Sequence, residues 1–254
     1  MDKLIFNSAV ALAEQSVTRQ ILVNELANIS TSGFKRSFET AMRSVKAEGL
    51  GFDSRYQPRV EATDTINMRP GAVMSTGRPL DISLNGQTVM AVQGERGERG
   101  FTRRGDLRVS ETGVLETGSG NAVLGDAGTI TIPSGLEVNI TSDGSVYARD
   151  PRQQGAVASQ LVGKILLRDA SNTKLVRRSD GLFGPLGAPK GSDITGGKEP
   201  PSLTPGTLEG SNVNAVEAMV KLIDYSRSFE MQIKIIKETQ DNDERGAQLL
   251  KLTG

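Results

Sequence analysis

Apolar side chains recur at helical spacing near both ends of the chain and at strand spacing between them. Over residues 3–28, Ile5, Ala9, Leu12, Val23 and Leu26 share one stripe, with Ser16 and Arg19 as polar gaps. Val10, Ala13, Val17 and Ile21 make a second stripe beside it. The pattern predicts an amphipathic helix of roughly 40 Å at ~1.5 Å per residue, ended by Ser30, Thr31, Ser32 and Gly33. Taken alone, such a helix docks on its own domain. A second helix is predicted after Asn214, which can cap it, with Glu217 completing a capping box. Met219, Leu222, Phe229, Ile233 and Ile236 follow three- and four-residue steps, with Ser226 filling the gap. Gln240 and Asp243 interrupt the stripe, and Ala247 and Leu250 resume it. Val216, Val220, Ile223 and Ile235 widen the apolar face. About forty helical residues reach roughly 60 Å, longer than a domain of this size covers, so part of that face must meet something else.

Between the helices the pattern changes. Residues 35–68 are polar, mixed in charge and without period, and read as a connector with room for a short helix. From Met68 to Leu203 short alternating runs predict strands at 88–92, 107–109, 114–117, 122–124, 129–132, 137–140, 145–148, 161–167 and 174–177. Turn signals separate them at Gly86, Gly113, Gly128, Gly135 and Gly144. Many short strands at close spacing predict an antiparallel, twisted all-β domain rather than βαβ units. Residues 184–208 are rich in Gly and Pro and predict little regular structure.

Composition narrows the chemistry. The 254 residues hold 30 Lys plus Arg against 30 Asp plus Glu, so no global field points to nucleic acid or an acidic membrane. The absence of Cys removes disulfides, thiolate metal sites and a thiol nucleophile. The absence of His removes the usual general base and the commonest metal ligand, which disfavours an enzyme while leaving Ser-Lys and carboxylate-pair chemistry open. No run of about eighteen apolar residues predicts a membrane span. The first residues carry a single Lys and an apolar stretch broken by Glu14 and Gln15, so no secretory signal is expected. Gly191 to Glu199 resembles a phosphate loop, but the spacing is one residue long and Glu199 stands where a Mg-binding Ser or Thr belongs. Gly118 to Gly125 misses dinucleotide spacing and reads as a hairpin. Asp143 sits in a Ser-Asp-Gly turn without partner acids and reads as a turn residue, not a metal ligand. Gly94 to Arg104 is charged but balanced, as expected of a solvated hairpin tip. Three aromatics in the β region, Phe101, Tyr147 and Phe183, offer little platform for a sugar.

The two ends carry matching signatures. Asn24, Leu26, Ala27 and Asn28, then Thr31, Gly33 and Phe34 before Lys35 and Arg36, resemble the N-terminal motif of bacterial flagellar rod and hook proteins. Ser211, Asn212, Val213, Asn214, Glu217 and Met219, then Arg227, Phe229, Glu230 and Lys234, resemble their C-terminal motif. Arg78 to Ile82, Phe101 to Gly105, Gly113 to Leu115, Ile130 to Pro133 and Asp143-Gly144 resemble motifs of the family's β domain, so the resemblance spans nearly the whole chain in order. Within the family, 208–216 and 229–232 resemble the proximal-rod member more than the distal-rod or hook members. Ser32 departs from the family's frequent Pro, and Glu25 from its usual small or amide residue; Gly33 keeps the helix stop.

The resemblance implies an α+β fold, with long N- and C-terminal helices forming a coiled coil around a central antiparallel all-β domain. The expected division is helix at 1–34, extended connector at 35–68, β domain at 69–204, linker at 205–211 and helix at 212–254. It implies a structural subunit of the periplasm-spanning basal-body rod, a hollow shaft transmitting torque. Expected partners are other rod proteins, copies of itself and the flagellar type III export apparatus, with export lacking a cleaved signal peptide and termini loose until assembly. No catalytic residue, cofactor, metal, nucleic acid or small-molecule substrate is implied. Ile5, Leu12, Val23, Leu26, Leu222, Phe229, Ile233 and Ile236 are the expected assembly contacts. The rival readings are a distal-rod or hook relative, and a secreted β-rich protein that binds carbohydrate or acts on peptidoglycan.

Overall fold

The computed structural model describes residues 2–37, 39–46, 56–63, 65–152 and 159–252. The chain divides into two compact units: Met1–Ala27, Phe38–Thr63 and Asn214–Gly254 form one, Asn28–Ser37 and Asp64–Val213 the other.

The first unit holds two helices and a hairpin. Helix α1 is Asp2–Ala27, strand β1 Glu39–Lys46 and strand β2 Tyr56–Thr63. The strands pair antiparallel from Glu39 opposite Thr63 to Lys46 opposite Tyr56. Eight paired residues on each side therefore stand where the sequence predicts a connector. Helix α2, Ala215–Leu252, is 38 residues against 26 for α1. Asn214 caps it as expected: its Oδ1 accepts from the N–H of Val216 at 3.0 Å and of Glu217 at 3.2 Å.

The expected coiled coil of two long terminal helices is not what the unit contains. Its N-terminal helix is short, and the chain is mainly β with one helix at each end. The reason lies in which side chains are covered. In α1, Leu22 is buried, and so are Thr18 and Glu25, while Val23 on the predicted stripe is 50% exposed. In α2 the covered line is Ala218, Leu222, Tyr225, Ser228, Gln232, Ile236 and Thr239, mostly polar. A coiled-coil seam needs apolar side chains there.

The second unit is all strands and turns. Its strands are β3 Val73–Ser75, β4 Ile82–Leu84, β5 Thr88–Gln93, β6 Arg99–Thr102, β7 Leu107–Val109 and β8 Leu115–Thr117. There follow β9 Leu124–Gly125, β10 Gly128–Thr129, β11 Glu137–Ile140, β12 Ser145–Arg149, β13 Gln160–Lys164 and β14 Leu167–Asp169. The last are β15 Leu175–Arg177, β16 Phe183–Pro185, β17 Leu203–Pro205 and β18 Thr207–Glu209. A five-stranded sheet has the order β14-β5-β6-β16-β15, and a three-stranded sheet the order β11-β12-β13. The pairs β3/β18, β4/β17, β7/β8 and β9/β10 complete the unit, every pairing antiparallel.

Two apolar layers sandwich β5. Met90 and Val92 point into a cluster with Ile82, Leu107, Leu115 and Ile165. Val89 and Ala91 point the other way, to Phe101, Leu166, Leu175 and Phe183. A strand covered on both faces reads as an unbroken apolar run, which is what residues 89–92 are. All five turn glycines read from the sequence adopt positive φ, from 53° at Gly86 to 119° at Gly128. Residues 184–208 depart from expectation: β17 and β18 form there because β4 and β3 offer open edges, a long-range effect that local Gly and Pro content hides. The single run expected at 161–167 splits, with Ile165 and Leu166 turning into opposite layers.

Candidate assembly site

Within the β unit, the segment after α1 and the segment before α2 lie side by side. Gly33 N–H donates to the Glu209 carbonyl at 2.7 Å, and Asn212 N–H to the Phe34 carbonyl at 3.2 Å. Asn212 uses the rest of its amide too: Oδ1 accepts from Arg36 N–H at 2.8 Å, and Nδ2 donates to the carbonyls of Asn67 and Arg69. Thr31 turns the chain by hydrogen bonding Asn28 through both its N–H and its hydroxyl. Phe34 is buried, with the Arg177 guanidinium 4.4 Å above its ring centre. Val213 is buried and Ser211 accepts from its N–H. Gly33 has φ 67°, and a Cβ there would stand 2.2 Å from the Arg103 carbonyl oxygen. The motif residues Thr31, Gly33, Phe34, Ser211, Asn212 and Val213 thus form one clasp.

A buried ion cluster lies at its centre. Glu209 takes Lys35 Nζ on Oε1 at 2.6 Å and Arg103 Nε on Oε2 at 2.8 Å, all three side chains at most 1% exposed. Gly71 N–H adds a bond to Oε1 at 3.0 Å. The second positive charge is spread onto carbonyls: Lys35 donates to Arg69, and Arg103 to Leu84, Gly86 and Thr88. Burial pushes the Lys35 ammonium below its usual pKa, with the hydrogen bond to Glu209 opposing the shift. The sequence reading singled out neither Glu209 nor Arg103 for this role, since the three partners stand at positions 35, 103 and 209.

In the helical unit the site is a surface. Val216, Met219, Val220 and Ile223 are 69%, 54%, 51% and 53% exposed, on the side of α2 opposite its covered line. Of the expected contacts, Val23, Phe229 and Ile233 are exposed, while Leu12, Leu26, Leu222 and Ile236 are half-buried. The side chain of Ile5 lies outside the described residues. Among the remaining motif residues, Asn24, Ala27, Asn214, Glu217, Met219, Arg227 and Glu230 are exposed, and Glu217 pairs with Lys221 at 2.6 Å. Between α1 and α2 runs a groove of about 250 Å³ lined by Leu12, Gln15, Ser16, Arg19, Tyr225, Ser226, Phe229 and Glu230. Gln15 Nε2 donates across it to Ser228 at 2.8 Å. Gln15 Oε1 is buried without a hydrogen-bond partner among the described residues.

The rejected chemical motifs have plain structural roles. Asp143 accepts from the hydroxyls of Thr141 at 2.5 Å and Ser145 at 2.7 Å, which hold its carboxyl well below the usual range. The loop resembling a phosphate cradle holds a carboxylate of the chain itself: Asp169 Oδ2 accepts from Glu199 N–H at 3.1 Å and Ser171 Oγ at 2.6 Å. A Cβ on Gly197 would stand 1.8 Å from that oxygen. Residues 94–98 turn between β5 and β6. Among the described residues no cluster of three or more acids could hold a metal, and no helix is long and apolar enough to cross a membrane.

Comparison with known proteins places this geometry. A family model described as "Flagellar basal body rod FlgEFG protein C-terminal" matches residues 204–249, from β17 into α2. Another, "Flagellar hook protein FlgE/F/G D1 domain", matches 83–148, from β4 into β12. The flagellar basal-body rod protein FlgF of Escherichia coli K12 is 37% identical over 259 aligned residues, covering all of both chains. The FlgF protein of Salmonella typhimurium LT2 is 36% identical with the same coverage. The flagellar basal-body rod protein FlgG of Buchnera aphidicola from Acyrthosiphon pisum is 28% identical over 95% of this chain and 97% of its own. On identity at that level across its full length, the chain belongs to the flagellar basal-body rod protein FlgF family.

Proposed function

We infer that the chain is a structural subunit of the flagellar basal-body rod, assembling with other axial proteins of the flagellum. The observation that carries the inference is the full-length identity to two FlgF proteins. The exposed apolar side of α2 gives it a physical basis, because such a stripe is a liability unless neighbours cover it. The finer statements rest on the family. The chain leaves the cell through the flagellar export apparatus without losing a signal peptide, transmits torque and has no catalytic role. The absence of His and Cys agrees with the last point. Residues 69–204 act as the central β domain, and the assembly contacts include Val23, Phe229 and Ile233 together with the half-buried Leu12, Leu26, Leu222 and Ile236. The test is deletion of the gene followed by complementation. Loss of swimming, with basal bodies that stop short of the complete rod, is the expected result. Complete rods in the deletion strain overturn the reading.

A further inference from the structure

The clasp in the β unit holds more positive charge than its hydrogen bonds require. Lys35 and Arg103 share one carboxylate, that of Glu209, with all three side chains out of water. Arg177, stacked on Phe34 and donating to the Lys35 carbonyl, adds a further cation without a carboxylate among the described residues. Of the two cations on Glu209, one is dispensable as a donor. Without Lys35, Glu209 Oε1 keeps the Gly71 N–H at 3.0 Å, and the Arg69 carbonyl keeps Asn212 Nδ2 at 3.1 Å. Without Arg103, Glu209 Oε2 and the carbonyls of Leu84, Gly86 and Thr88 each lose a donor. Lys35 is therefore the cation that the cluster can spare, and keeping its ammonium out of water is costly.

The segments tied together here are attached outside the apolar layers. Residues 33–36 and 209–212 bond to each other through Gly33, Phe34, Arg36 and Asn212. β18 and β3 form a sheet of two strands, and neither strand, nor Phe34 or Val213, contributes a side chain to either layer. We propose that the clasp is a latch built to release: residues 33–37 and 209–213 leave the β unit together while both apolar layers stay closed, and the Lys35 ammonium keeps the latch weak. Release frees the segments that lead to α1 and α2 at the cost of a local opening instead of global unfolding. Burial, with Arg103 adding to it, holds the Lys35 ammonium below the ordinary 10.5, against the hydrogen bond to Glu209. The open clasp then binds that proton more readily than the closed one, so closure gains as pH rises from the folded pKa toward 10.5. The latch goes beyond the rod-subunit reading and does not depend on it.

The test uses the full-length chain and Lys35→Met, which keeps an unbranched side chain and removes the charge. Amide hydrogen exchange at neutral pH should show Gly33, Gly71 and Asn212 opening together, and more often than Ala91, whose N–H bonds to the Leu166 carbonyl inside the β unit. Lys35→Met should slow exchange at the three clasp amides roughly tenfold, because a balanced Arg103–Glu209 pair remains. Arg103→Met should speed it. From about pH 7 to pH 10 the urea midpoint of the natural chain should climb toward that of Lys35→Met, as Lys35 gives up its proton. Clasp amides that open no more often than Ala91 would show that no separate latch exists. Equal or faster exchange in Lys35→Met would make Lys35 a needed partner, and equal slowing by Arg103→Met would remove its special place. A midpoint gap that stays constant to about pH 10 would mean that the proton on Lys35 does not weaken the clasp. Each of these four results overturns the proposal, and none of them bears on the rod-subunit reading.

Discussion

The two units solve opposite problems. The β unit buries its apolar side chains in two layers and even seats charge inside, with Glu209 between Lys35 and Arg103. The helical unit shows Val216, Met219, Val220 and Ile223 to solvent and covers Tyr225, Ser228, Gln232 and Thr239. One unit has a buried core and leaves only scattered apolar side chains exposed, Val73, Met74, Leu161 and Leu186 the most so. The other carries a run of exposed apolar side chains along α2. This difference separates two kinds of substitution: those that damage folding and those that damage joining.

The largest folding effect is expected at the clasp. Glu209→Gln leaves Lys35 and Arg103 buried without an anion. Removing one partner of a buried ion pair costs about 3–5 kcal/mol, because the charge left behind stays desolvated. Urea unfolding of the purified variant should show that loss in the midpoint. A loss under about 1 kcal/mol, the range of exposed pairs, would mean that the cluster is hydrated in solution. Gly33→Ala comes next. Positive φ alone costs a side chain roughly 1–2 kcal/mol, and at Gly33 the new Cβ also meets the Arg103 carbonyl. Gly77 is the control, with φ 69° and open space around it. Gly33→Ala should therefore destabilise more than Gly77→Ala in the same assay, and equal losses would remove the close approach from the account.

How much of this was legible beforehand follows from range. The Asn214 cap, the turn glycines and the apolar run at 89–92 are local signals, and each is present in the structure. The ion cluster is not local. Lys35, Arg103 and Glu209 each look like a solvated charge in their own stretch, and only the folded chain brings them together. The side of α2 that is covered was hidden for another reason. Met219, Leu222, Phe229, Ile233 and Ile236 make one apolar stripe, and Val216, Val220, Ile223 and Ile235 widen it. With an apolar face that broad, periodicity does not choose, and the covered line shares only Leu222 and Ile236 with the predicted stripe. The clasp was half legible: its motif residues were picked out through family resemblance, but not that Asn212 would join three separate segments.

A smaller effect on the β unit should appear in acid. Burial works to raise the Asp169 carboxyl, but the Ser171 hydroxyl and the N–H groups of Glu199, Ser171 and Lys198 outweigh it and hold the pKa below the ordinary 3.8. A carboxyl lowered in the folded state binds its proton more readily when unfolded. Its contribution is therefore complete above about pH 4 and fades as pH falls through the lower folded value. Asp169→Asn should lower stability at neutral pH, and the gap to the natural protein should narrow below about pH 4. Parallel curves down to pH 2 would show that the loop around Gly197 does not hold a charged carboxylate.

The smallest effect on folding and the largest on assembly are expected together at Ile223. Ile223→Asp puts a charge on a side chain already 53% exposed, in a helix interior where Ile and Asp differ little in propensity. Surface changes of this kind usually stay within about 0.5 kcal/mol, so circular dichroism and urea unfolding should match the natural chain. In an assembled rod the same carboxylate would be desolvated against an apolar neighbour, and each copy would repeat the fault. Swimming should fail and basal bodies should stop short. Were the variant instead to unfold in urea well before the natural chain, Ile223 would be packed inside its own unit, and the contrast between the units would vanish at that position. If the variant keeps both its stability and its rods, the apolar side of α2 stays wet in the assembly, and the joining surface must be sought at Phe229 and Ile233.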